Sequence, residues 1–315
     1  MFTGKDMDFE VIVDEQFMDM CLDDQLDPIE NKNVLSIVND FQDGKWRYSK
    51  FRKFIWDNIA ETALSFDERK SLVDESYSSL VESAKSLRLT DAASTIGQGS
   101  ELAEIVLYGI MKHHFGALPA VPKIFYKQNA QDNAKGADSV HIVLTDDEDF
   151  TIWFGEAKFF NDIGNHRLGE IVTSVGNSLA TDKLKRENAI ITNVKDIDSL
   201  VASESLKADI KIALSPKRSI DSIKSKLHIP ILLLHECEHT ASCTVLSDKY
   251  KQDVIEFHQQ RATAYFKKHI KALKDVHLYE SITFHLILFP VPDKTPIIDK
   301  FIKDVKHYKE AAEDE

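Results

Sequence analysis

Residue types suited to hydrolysis stand at two places in the chain. In "HECEHT", His235, Glu236 and His239 fit H-E-x-x-H, the pattern by which one helix presents two zinc ligands and a general base. In "TIWFGEAKFF", the alternating apolar residues Phe150, Ile152 and Phe154 run into Glu156 and Lys158. Upstream, "KGADSVHIVL" places Asp138 just ahead of a second alternating run, Val140, Ile142 and Leu144.

The second pattern carries more chemistry. Residues i and i+2 of a strand share a face roughly 6–7 Å apart, so Glu156 and Lys158 project together. If the turn between the runs is centred on Asp147, Asp138 faces Glu156 across the hairpin, with Cβ atoms about 5 Å apart. Two facing carboxylates raise each other's pKa unless a cation lies between them. Oxygen ligands in acidic surroundings select Mg²⁺ or Mn²⁺. Lys158 beside such an ion would orient or activate an attacking water, or neutralise charge on a pentavalent phosphorus. A third carboxylate is expected from the preceding helix, Glu104 or Glu101. Acid-x-Lys recurs at Glu30–Lys32, Asp43–Lys45 and Asp304–Lys306, but none of these ends a strand-like run. The plainer alternative for Glu156–Lys158 is an edge-strand ion pair.

The H-E-x-x-H segment lacks the helix that zinc ligation requires. Pro230 and the run Ile231–Leu234 read as a short buried strand. Continued as strand, His235, Cys237 and His239 would share one face, a weak metal site at most, and Glu236 would point to the other. Glu238 adds a charge inside the signature, and Glu256 qualifies as a third ligand by spacing alone.

The elements that must position these residues follow from periodicity. A short strand is expected at 7–13, helices at about 33–41 and 50–64, and one amphipathic helix of about five turns over 65–87, opened by a Ser65/Glu68 capping box. Gly97 and Gly99 punctuate the chain before a helix with the stripe Leu102, Ile105, Val106, Gly109 and Ile110. After the hairpin, "HRLGEIVTSVGNSLATDKLKREN" reads as a crossover helix with a basic end. A long charged helix at 247–275, a strand in "SITFHLILFPV" and a terminal helix complete the chain.

With 315 residues, 43% of them hydrophobic, the chain can build a substantial core. No apolar run approaches the ~20 residues of a membrane span and no signal peptide is visible, so no membrane association and a cytoplasmic location are expected. Cys21, Cys237 and Cys243 make no disulfide framework and are expected as reduced thiols. A net charge of -13 argues against free-standing, nonspecific nucleic-acid binding. Basic clusters at Lys183–Arg186, Lys217–Lys226 and Lys267–Lys274 read first as solvated helix faces.

The order of glutamate-bearing helix, "KGADSVHIVL" and "TIWFGEAKFF" resembles the PD-(D/E)xK nuclease superfamily, and within it the HamA family of the Hachiman anti-phage defence system. The likeness is densest from Gly97 to about Leu179. It implies an α/β fold, a restriction-endonuclease-like mixed sheet flanked by helices. It maps the metal-binding Asp to Asp138, the Glu to Glu156 and the Lys to Lys158, with Ala137 where the superfamily's Pro would stand. "AEIVLY" favours Glu104 over Glu101 as the helix ligand. On this reading, residues 1–90 form a mainly helical extension for partner docking, and 91–315 the nuclease core. The implied activity is Mg²⁺- or Mn²⁺-dependent DNA cleavage under control of a helicase-like ATPase subunit, HamB-like. The competing readings are an H-E-x-x-H zinc protease and a nuclease fold kept as a non-catalytic scaffold.

Overall fold

A computed structural model of the chain describes residues 7–88, 100–124, 137–146, 149–193, 196–215 and 217–311. Strand β1 (Glu10–Gln16) and helix α1 (Phe17–Met20) lead to β2 (Lys32–Val38), the two-residue strands β3 (Phe41–Gln42) and β4 (Lys45–Trp46), and helices α2 (Tyr48–Ala63), α3 (Phe66–Ser71) and α4 (Ser76–Lys85). Helix α5 (Ser100–His113) precedes β5 (Leu118–Val121), β6 (Ser139–Asp146) and β7 (Asp149–Phe160). Helices α6 (Asn165–Ser178), α7 (Thr181–Asn193), α8 (Asp196–Leu200) and α9 (Glu204–Ala213) separate β7 from β8 (Leu227–Glu236). Then come α10 (Glu238–Ser242), α11 (Asp248–Leu273), β9 (Thr283–Val291) and α12 (Lys294–Ala311).

The larger sheet has seven strands in the order β1-β2-β9-β8-β7-β6-β5. Its centre is parallel, β2 with β9, β9 with β8 and β8 with β7, while β1, β6 and β5 join antiparallel. The mixed sheet flanked by helices is the architecture the sequence led us to expect.

Both faces are covered, and β7 shows how. Its even positions Phe150, Ile152 and Phe154 pack with Leu168, Ile171, Val172 and Val175 of α6 and with Tyr265 and Phe266 of α11. Its odd positions Trp153, Ala157 and Phe159 pack with α5, α2 and α12. Gly155 leaves no room for a side chain: a Cβ there would run into Ser139 Oγ and lie 2.7 Å from Leu107 Cδ2. The sequence of this strand thus sets which face each functional side chain enters.

Several expectations are corrected. The segment at 33–41, read as helix, is β2: it is buried on both faces, so the two-residue alternation that marks a half-buried strand is missing. Within residues 7–88, β1 and β2 belong to the same sheet as the later strands, so this part of the chain is no helical extension beside the core. The single helix expected over 65–87 is two, α3 and α4, although the Ser65/Glu68 capping box forms as read. The crossover helix is likewise divided into α6 and α7. The expected turn at Asp147, the glycines Gly97 and Gly99 and the last four residues lie outside the described residues.

Candidate active site

Asp138, Glu156 and Lys158 meet where β6 begins and β7 nears its end. The register pairs Ser139 with Gly155, Val140 with Phe154 and Ile142 with Ile152, which is the pairing a turn centred on Asp147 requires. Asp138 lies just ahead of this ladder, and its N–H donates to Gly155 O at 2.8 Å. Its Oδ2 receives the Ala157 N–H at 3.1 Å and the Lys158 ammonium at 3.2 Å. Lys158 Nζ also lies 2.6 Å from Glu156 Oε1. Glu156 is held from behind by Ser174 of α6, whose hydroxyl donates to Oε1 at 2.5 Å.

The cation between the two carboxylates is therefore Lys158 itself. Side-chain exposure falls from 32% at Lys158 to 18% at Asp138 and 7% at Glu156, so the group opens to solvent at its lysine end. Burial, reinforced by the charge on Asp138, pushes the Glu156 carboxyl above its ordinary range, with Lys158 and Ser174 acting the other way. For Lys158, burial opposes the charge, but Asp138 and Glu156 outweigh it and raise the ammonium's pKa above its usual value. Lys158 stays protonated throughout the neutral range and acts as a hydrogen-bond donor and a fixed charge.

The donor set of two carboxylates suits a hard cation of the Mg²⁺ type, which takes one or two carboxylates and completes its shell with water and phosphate oxygens. Asp138 and Glu156 are the residues that would hold it. The expected third ligand is placed differently. Glu104 is 4% exposed on α5, and α5 packs on the odd face of β7, opposite to the face Glu156 and Lys158 enter. Among the described residues no three Asp, Glu, His or Cys side chains form a group able to hold a metal. Glu101 lies one turn earlier, and its Oε1 receives the Arg88 N–H at 2.9 Å.

The H-E-x-x-H segment does not form a protease site. His235 lies in β8, Cys237 caps α10, and His239 belongs to that five-residue helix, so the two histidines do not share a helical face. The shared strand face expected for His235, Cys237 and His239 does not form either, because the strand ends at Glu236. His235 is fully buried, its Nε2 3.1 Å from His258 Nε2, while His258 Nδ1 meets Ser36 Oγ at 2.6 Å. Glu236 accepts from Asn161 Nδ2 at 3.1 Å and from the Lys294 N–H at 2.8 Å. Its polar groups are spent on fixing the carboxyl end of the sheet.

Ser174 and a buried ion pair behind Asp138, Lys123 with Glu187, escaped the sequence reading. Ser174 carries no spacing signal at all. Glu187 did carry one: it lies three residues after buried Leu184, a charge on the apolar stripe of a helix.

No helix among the described residues is long and apolar enough to cross a membrane. A search of curated proteins finds no match. The sequence model of the HamA family matches residues 15–305, nearly the whole sheet and all three site residues. The chain accordingly belongs to the HamA family, and with it to Hachiman anti-phage defence.

Proposed function

We propose that the chain is a metal-dependent deoxyribonuclease, the effector of its defence system. The observation that supports this reading best is the convergence of Asp138, Glu156 and Lys158 at the open end of one hairpin. A Mg²⁺ or Mn²⁺ ion held by Asp138 and Glu156 would supply Lewis acidity at the scissile phosphate. The protein's own part is electrostatic. Lys158, a permanent ammonium, offers charge and hydrogen bonds to phosphate oxygens that gain negative charge as the phosphorus–oxygen bond breaks. Ser174 keeps Glu156 Oε1 oriented, and the Ala157 N–H does the same for Asp138 Oδ2. Orientation fixed before the substrate arrives avoids reorganisation during reaction.

The -13 charge opposes unaided approach to DNA. Delivery by a DNA-binding partner resolves that conflict, and a helicase-like ATPase subunit in the cytoplasm is the partner we propose. Membership of a defence system supports the presence of partner subunits. Incubation with plasmid, linear and single-stranded DNA in Mg²⁺, Mn²⁺ or EDTA tests the activity. Cleavage with either ion and none in EDTA is expected; degradation of casein without DNA cleavage would overturn the reading.

A further inference from the structure

The ladder between β5 and β6 ends at Val121 and Val140, and β6 starts at Ser139. Asp138 therefore lies just ahead of the strand. Successive N–H groups of an extended chain point to opposite sides. The Asp138 N–H reaches Gly155 O on β7, so the Ala137 N–H is directed toward the β5 side, where the ladder has already ended. Its acceptor there is Glu187 Oε1 of α7, at 3.1 Å. The other oxygen, Oε2, lies 2.6 Å from Lys123 Nζ, two residues past the end of β5.

Lys123 is 1% exposed and Glu187 2%. A buried pair of this kind repays its desolvation poorly, and an apolar pair of similar size is often at least as stable. Stability alone does not account for it. Its geometric effect is specific: one carboxylate ties the end of β5 and the approach to β6 to the same helix, one residue from Asp138.

We propose that Glu187, held by Lys123, is a positioning residue for Asp138: by fixing the Ala137 N–H beside the end of β5, it sets the approach to β6 so that the Asp138 carboxylate meets Ala157 and Lys158. The catalytic consequence rests on the nuclease reading above; the positioning itself does not.

Two double variants separate position from charge. Lys123→Met with Glu187→Leu removes the ion pair and the acceptor for Ala137, while Lys123→Met with Glu187→Gln removes the charges but keeps a carbonyl acceptor. Thermal melting first establishes that both fold. Residue-resolved amide exchange should then show Ala137 and Ala157 exchanging about tenfold faster or more in the Leu variant, with most of the protection recovered in the Gln variant. Ala157 is the informative amide, because it donates to Asp138 itself. In Mg²⁺-dependent cleavage, kcat of the Leu variant should fall about tenfold or more with KM for DNA nearly unchanged, and the Gln variant should recover most of it. A Leu variant with parent-like exchange at both amides, or with parent-like kcat, would overturn the proposal. If the parent cleaves no DNA with any ion, the nuclease reading fails, and the exchange at Ala157 then decides the positioning role alone.

Discussion

Glu156 is where function and stability pull apart. Burial and the neighbouring Asp138 charge raise its carboxyl pKa, yet holding a cation requires the charged form. Cleavage should therefore fall on the acid side of neutrality before an ordinary carboxylate would titrate, and a pH–rate profile measures this. For stability the sign is opposite. A group with a raised folded pKa binds its proton more tightly when folded, so its contribution is fully present below the unfolded value and lost as pH rises through the folded one. Charged Glu156 is thus a cost at pH 8, and Glu156→Gln should melt above the parent there, with the difference closing as the pH falls toward 4.5, the ordinary carboxyl value. A lower melting temperature at pH 8 would contradict this. That Asp138, Glu156 and Lys158 meet could be read from the sequence because one hairpin carries all three. Ser174, Lys123 and Glu187 could not be assigned, because long-range packing alone brings them there.

At the level of elements, β7 tolerates little at Gly155. Gly155→Ala would force Ser139 and Leu107 aside next to Glu156. A loss of about 1–3 kcal/mol, the usual range for overpacking, is expected by denaturant titration, together with reduced cleavage. Parent-like stability would mean that β6 and α5 yield more easily than their packing implies. The β7 hairpin was legible because each strand has a clear alternation, whereas β2 was misread because Val34, Leu35, Ile37 and Val38 also fit a helical stripe. The break between α3 and α4 has no Gly or Pro to announce it. The strand at "ILLL" was legible from its length and flanking proline, and it explains why H-E-x-x-H fails here. His235→Ala should cost about 1–3 kcal/mol by leaving the buried His258 Nε2 unsatisfied. His239→Ala, at an exposed position, should leave the melting temperature unchanged. Elemental analysis should find no bound zinc, and a stoichiometric amount lost in His235→Ala would revive the zinc reading.

The whole molecule buries several neutral histidines. Burial lowers His228 and His235 to about 4 and His141 and His269 to about 3, and His258 and His285 are also held well below the ordinary value. Each binds its proton less readily when folded, so stability is kept above the unfolded pKa of 6.5 and falls as the pH drops toward 4. Melting curves across that interval should decline steeply, and a flat response would show that these histidines charge without unfolding. Control also belongs to this level. Tethering to a DNA-bound ATPase would raise local DNA concentration to roughly millimolar, offsetting the repulsion of an acidic surface. Cleavage should then respond to ATP and DNA ends only when the partner is present. The most direct test of the central claim compares Mg²⁺-dependent DNA cleavage by the parent, Glu156→Ala and Lys158→Met, each shown to be folded and assayed with the same partner. The account predicts a loss of about a hundredfold or more in both variants. Cleavage at the parent's rate by both would place the chemistry elsewhere in the molecule.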